Sequence, residues 1–263
     1  WAPEFHIVGG EPYIFFAISG KIWGPQCHVM HLRHGGSFID QESWEEPKRL
    51  VRADGSPLAA SGITLDMTVI KAGGHTYAVW SYRNGFNDSF DTGSMLYIAA
   101  LNEDRPWMLA SEPRLLSRPT LSWENTEGTI NNEGPHSFVT EDCVYLSYSG
   151  GAANSYTYAV GLLTANPQDD LSNPANWHKS LTPVLHYQSV AGEYGPGHNS
   201  FFRDDLGNLW IAFHGEVSYE SRERCAGIRR VHFDVDGRPR FNLSANRDVN
   251  LALRNVSIHV TVK

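Results

Sequence analysis

The sequence predicts an all-β protein built as a β-propeller, with four blade repeats visible along the chain. Three observations carry that expectation. A polar residue recurs at the start of an apolar run, as Glu4, Asp66, Glu133 and His198, at separations of 62, 67 and 65 residues. Each is followed by two further aromatic or β-branched runs bounded by Gly, Asn and Asp, as strands joined by turns are. No stretch of useful length carries a helical period.

The elements follow in order. In the first unit, "EFHIVGG" from Glu4 precedes "YIFFAIS" from Tyr13 and "CHVMHLRH" from Cys27. The second runs from "LDMTVIKAGG" through "YAVWSY" at Tyr77 to "SMLYIAAL". The third runs from "EGPHSFVTED" through "VYLSYS" at Val144 to "YTYAVGLLT", and the fourth from "HNSFFRDDLG" through "LWIAFHG" at Leu209 to "AGIRRVHFD". The second strand starts 9, 11, 11 and 11 residues after its marker. Weaker segments such as "EPRLLS" and "LTPVLHY" are expected to close blades, and the tail "NLALRNVSIHVTV" to add one or two strands. About 65 residues and four strands make one blade, which buries its faces only against neighbouring blades. "NGFNDSFDTG" and "NPQDDLSNPANWHKS" read as polar surface loops, so residues 1–263 are expected to form a single propeller domain.

Composition narrows the partners. Net charge is -8, with 29 acids against 21 bases and no basic cluster, which argues against nucleic acid. No run approaches 18 consecutive apolar residues, so no membrane-spanning helix is expected. Cys27, Cys143 and Cys225 lie far apart, without metal or disulfide spacing, and are expected to be buried small apolar residues. Asn87, Asn242 and Asn255 each begin an Asn-X-Ser triplet, a pattern that also arises by chance. His28, His31 and His34 step by three, which on a strand puts neighbours on opposite faces, so they are read as structural.

The propeller gives the markers a chemical meaning. The first strand of each blade lines the central channel, so Asp66, Glu133 and His198 are expected at one mouth of it. Two carboxylates in one pocket move each other's pKa, one staying ionised while the other holds its proton toward neutral pH. Such a pair suits general acid catalysis at a glycosidic oxygen.

"WAPE", "LDMT", "NEGPH" and "GPGHNS", in that order at blade spacing, resemble the signatures of glycoside hydrolase family 43 along the whole chain. The resemblance implies a five-bladed propeller that releases terminal α-L-arabinofuranosyl residues from arabinan or arabinoxylan with inversion. Other readings are a β-xylosidase or exo-arabinanase of the same family, or a non-catalytic sugar-binding propeller. It implies that Glu133 is the general acid and that Asp66 orients it and tunes its pKa. Trp1 would wall the sugar site, His198 would contact substrate or a mostly water-bound calcium in the central channel, and Arg224 would bind sugar hydroxyls, with Arg222 and Arg229 as near alternatives. No cofactor is implied for the chemistry.

The family's general base is an aspartate about one blade before "WAPE", so that part of the first blade is expected to lie outside this chain, on a separate segment or chain. Glu4 would then be a structural carboxylate or a substitute base. The partner is expected to be an arabinose- or xylose-containing oligo- or polysaccharide, and a polysaccharide substrate favours an extracellular enzyme.

Overall fold

The computed structural model describes residues 1–86, 88–248 and 257–262. Four antiparallel sheets follow one another along the chain, each a meander. The first comprises β1 (Glu4–Val8), β2 (Glu11–Ile18), β3 (Gln26–His31) and β4 (Lys48–Arg49). The second comprises β5 (Ile63–Ala72), β6 (His75–Arg83), β7 (Met95–Ala100) and β8 (Arg114–Ser117). The third comprises β9 (Glu133–Val139), β10 (Val144–Gly150), β11 (Ala159–Ala165) and β12 (His178–Lys179). The fourth has β13 (Tyr194–Arg203), β14 (Leu209–Glu216) and β15 (Arg224–Arg230), followed by a separate pair, β16 (His232–Phe233) and β17 (Pro239–Arg240). The expected propeller of four visible blades is what the chain forms.

Side-chain alternation explains how the blades stack. On β6, Ala78 and Trp80 face the seam with the first blade, while Tyr77 and Val79 face the seam with the third. On β10, Leu146 and Tyr148 pack toward the second blade and Tyr145 toward the fourth. A strand buried on both faces reads as a near-continuous apolar run, as "YAVWSY" does, whereas in "VYLSYS" the alternating Ser147 and Ser149 are themselves buried. Three clusters result, one per seam: around Phe15, Met67 and Trp80, around Ile98, Leu146 and Tyr148, and around Phe138, Ile211 and Phe213. An ion pair with one buried partner closes the second seam. Lys179 Nζ lies 2.5 Å from Oε1 of the fully buried Glu124, which also accepts the Tyr148 hydroxyl at 2.8 Å.

Several local expectations change. The third blade ends on the polar pair His178–Lys179, and "LTPVLHY" contributes only an isolated bridge between Val160 and Leu185, because Pro183 has no N–H to donate to a ladder. Cys27 is buried, but Cys143 is half-buried and Cys225 exposed. Asn87, Asn255 and most of the tail lie outside the described residues, and 257–262 form no strand. His31 lies within 3.4 Å of the Glu11 and Glu45 carboxylates, and His28 bonds the Gln26 carbonyl, consistent with structural roles.

Candidate active site

At or just before the start of each inner strand lies a residue in the left-handed region: Ala2 (φ 44°) ahead of β1, Asp66 (φ 51°) in β5, Gly134 (φ 54°) in β9, and both Gly195 (φ 55°) and His198 (φ 44°) in β13. The ladders shift register beside Asp66, Gly134 and His198, so each of these three sits at a bulge that locally breaks the alternation of its strand. The repeat therefore aligns Asp66 with Gly134 rather than with Glu133, and with Ala2 rather than with Glu4. Glu4 lies two residues further along, where its Oε2 bonds His6 Nε2 at 2.8 Å and sits 3.8 Å from His136 Nε2.

Asp66, Glu133 and His198 converge as expected. The Asp66 carboxylate is buried, and its Oδ2 accepts the Ser81 hydroxyl at 3.2 Å and the Gly134 N–H at 3.1 Å. His198 Nε2 lies 4.0 Å from Asp66 Oδ1. Its ring lies over Gly134, where an added Cβ would come within 3.0 Å of it. The His198 N–H donates to Ser149 Oγ at 2.7 Å, and Ser149 is the cross-strand partner of Glu133. One hydrogen-bond chain thus ties three blades together at this point.

Glu133 Oε1 accepts the Tyr158 hydroxyl at 2.9 Å. Burial and then the Asp66 charge push the Glu133 pKa up to about 6, against the opposing pull of His198, the Tyr158 hydrogen bond and Arg83. The Tyr158 phenol is raised well above its ordinary value, first by burial and then by Glu133, so it stays a donor. Its ring stacks on His214 at 5.4 Å and fills the space over Gly197, where a Cβ would sit 2.1 Å away. His214 is pushed down to about 4 by burial, Arg224 and His198, which keeps it neutral.

Trp1 holds the position before Ala2 that Glu133 holds before Gly134. Its carbonyl accepts the Ala17 N–H at 2.9 Å, and its side chain is exposed at the rim. Arg224 opens β15, is exposed, and donates to the Ala153 carbonyl at 3.0 Å. Of its alternatives, Arg229 is buried against Glu193 at 2.9 Å, and Arg222 lines a separate cavity with Tyr156 and Tyr219. Sequence reasoning missed Tyr158, Ser81, Ser149 and His214, none of which lies on a marker strand.

The arrangement can hold one carboxyl protonated next to a carboxylate that stays hydrogen-bonded, a suitable pair for protonating a leaving oxygen. A calcium ion takes six to eight oxygen ligands. His198 offers a nitrogen, and among the described residues no three His, Cys, Asp or Glu side chains cluster to hold a metal. A calcium beside the His198 imidazole would be held mostly by water.

Known proteins resemble this chain along most of its length. The profile of "Glycosyl hydrolases family 43" matches residues 1–239. An extracellular exo-α-(1→5)-L-arabinofuranosidase of Streptomyces avermitilis is 32% identical over 253 residues, covering 92% of this chain and 50% of that protein. α-L-Arabinofuranosidase 43 of Humicola insolens is 32% identical over 257 residues, again 92% of this chain and 50% of the relative. This chain thus spans about half the length of the curated relatives it matches. Among solved structures, an α-L-arabinofuranosidase from Lactobacillus brevis superposes with a TM-score of 0.78 at 27% identity, over 92% of this chain and 75% of that one.

Proposed function

This chain belongs to glycosyl hydrolases family 43, and from that premise we propose that it releases terminal α-L-arabinofuranosyl residues from arabinan or arabinoxylan with inversion. Glu133 is the general acid. With a pKa near 6 it is protonated over the weakly acidic range and can deliver that proton to the leaving oxygen. Asp66 positions it by holding the next residue's N–H, and its charge helps keep the proton on Glu133. Tyr158 fixes the carboxyl rotamer through Oε1, leaving Oε2 as the proton-bearing oxygen.

Trp1 forms the apolar wall of the sugar site, and His198 and Arg224 donate to sugar hydroxyls. Inverting hydrolysis needs a second carboxylate about 6.5–9.5 Å from the first, holding the water. We assign that base to no residue of 1–263. Glu4 is a poor substitute, since two imidazoles occupy its surroundings. Two carboxyl groups complete the reaction, so no cofactor is required. A polysaccharide substrate and the extracellular relative support an exported protein. Among the described residues no helix is long and apolar enough to cross a membrane.

The observation that carries this reading is the Glu133 carboxyl, raised to about 6 beside an Asp66 that grips its neighbour. The test is hydrolysis of arabino-oligosaccharides, aryl arabinofuranoside and aryl xyloside by the full protein, with Glu133→Ala as control. Turnover of the arabinosides that collapses in the variant supports the assignment. Equal turnover of arabino-oligosaccharides by the variant would falsify Glu133 as acid, and a preference for xyloside would move the substrate.

A further inference from the structure

The loop between β6 and β7 looks at first like an ordinary polar connection, but its two ends are fastened to the two carboxylate strands. At one end, Arg83 pairs with Ile63 on β5, two residues beyond Ser81, the Asp66 donor. At the other, the Ser94 N–H bonds the Ile130 carbonyl at 2.9 Å and the Asn132 N–H bonds the Ser94 carbonyl at 2.9 Å, immediately before Glu133. Arg83 braces the interior of the loop through Asp91, at 2.8 and 2.5 Å. The two ends of the loop therefore lie beside the strands that carry Asp66 and Glu133.

The loop between β2 and β3 reaches the same place from the first blade. Thr64 N–H bonds the Pro25 carbonyl at 3.0 Å, and Gln26 Nε2 bonds the Gly62 carbonyl at 3.0 Å. The start of β5 is thus held between the two loops, with Gly62 so close to the Arg83 carbonyl that a Cβ would lie 2.3 Å from it. Above this seam the indole of Trp23 and the ring of Phe86 meet at 5.0 Å, tilted by 42°. The Arg83 guanidinium lies 4.4 Å from the Phe86 ring centre and holds it from beneath. Both rings remain about half exposed, at 52% and 46%, although each is fixed in place by its neighbours. Arg83, in contact with Phe86, is also close enough to bear on the Glu133 charge, which sets the pair on that side of the site.

We propose that Trp23 and Phe86 form the platform on which the sugar unit carrying the leaving oxygen stacks, so that they govern selectivity for the chain behind the cleaved residue. The proposal rests on the activity reading above. If Glu133 protonates the leaving oxygen, the unit bearing that oxygen lies on the Glu133 side of the mouth, where the loop joins Asn132. A pentose ring presents C–H groups to an aromatic face and hydroxyls at its edge. Arg83, paired with Asp91, covers one face of Phe86, so the sugar would stack on the faces of the pair that remain exposed.

The experiment compares the full protein with Trp23→Ala and Phe86→Ala on arabinotriose and on methyl α-L-arabinofuranoside, whose one-carbon leaving group cannot reach the platform. The expected result is a KM for arabinotriose raised about 3- to 10-fold, the worth of one aromatic contact, with methyl glycoside kinetics unchanged. Phe86→Tyr and Trp23→Phe should keep the arabinotriose KM, and Trp23→Ala should keep the alkaline limb of the pH profile. Unchanged arabinotriose KM in both alanine variants, or equal losses on both substrates, overturns the platform. If the unsubstituted protein cleaves neither substrate, the activity reading falls. Calorimetric titration with arabinotriose then decides this inference separately: binding weakened in the alanine variants sustains it, and binding that is absent or unaltered ends it.

Discussion

The Gly134 N–H donates to Asp66 Oδ2 at 3.1 Å, so the residue after Glu133 is held by a carboxylate from the preceding blade. One contact couples the position of the proposed acid to the charge that sets its proton affinity. The two effects separate in Asp66→Asn. The amide oxygen can still accept the N–H, and Asn tolerates the left-handed backbone at φ 51°. With the negative charge gone, the Glu133 pKa should fall. The alkaline limb of kcat/KM is expected to move to lower pH, measured on arabinotriose across pH 4 to 8; a limb that stays or rises contradicts the coupling.

Tyr158→Phe should do the opposite. The phenol stabilises the ionised form of Glu133, so its loss raises the pKa further and carries the alkaline limb upward. A less well fixed carboxyl should also cost kcat about 10-fold or more, within the range of general acid catalysis. Activity in the unsubstituted protein is expected to decline as pH rises through about 6, because only protonated Glu133 is competent.

Glu133→Gln should gain stability while losing turnover. A carboxyl harder to ionise in the folded chain than in the unfolded one contributes fully below the unfolded value. That contribution is lost as pH rises toward about 6. The neutral amide avoids a penalty of up to about 2 kcal/mol at pH 7. Calorimetry should show a higher Tm than the unsubstituted protein at pH 7 and little difference at pH 4.

Gly197→Ala brings a methyl group to within 2.1 Å of the Tyr158 ring. The ring must shift, at a cost of about 1–3 kcal/mol for overpacking. Chemical denaturation should register that loss, and the pH profile should move in the direction expected for Tyr158→Phe.

Lys179→Met tests the second seam. It leaves Glu124, fully buried, without its countercharge. The expected destabilisation is about 3–5 kcal/mol, larger than for any mouth substitution above. Urea unfolding checks it; a loss under 1 kcal/mol would mean that the pair contributes little.

Much of this was legible in the residues. The repeat announced the blades, and with them the burial of each sheet against its neighbours. The exact repeat alignment was less accessible, although the sequence held its clue. The second strand begins 9 residues after Glu4 but 11 after the other markers, and counting back 11 from Tyr13 reaches Ala2, the left-handed residue there, although the same count from Val144 reaches Glu133, one residue short of Gly134. Glu133 and Asp66 are not equivalent positions. They meet where Asp66, at a bulge, accepts the N–H of the glycine after Glu133. Tyr158 and Ser149 were hidden because their roles arise only from pairing between strands. The fourth strand of the third blade was misplaced because a short polar pair beside β11 carries no apolar pattern.

The mouth draws Asp66, Glu133, Tyr158 and His198 from three consecutive sheets, and none of these residues is brought near another by local structure alone. Contacts so distant along the chain form late and slowly, since loop-closure entropy is spent before they repay it. Recovery of enzymatic turnover during refolding should therefore trail the return of sheet signal, which makes catalysis a clock for the final docking of blades.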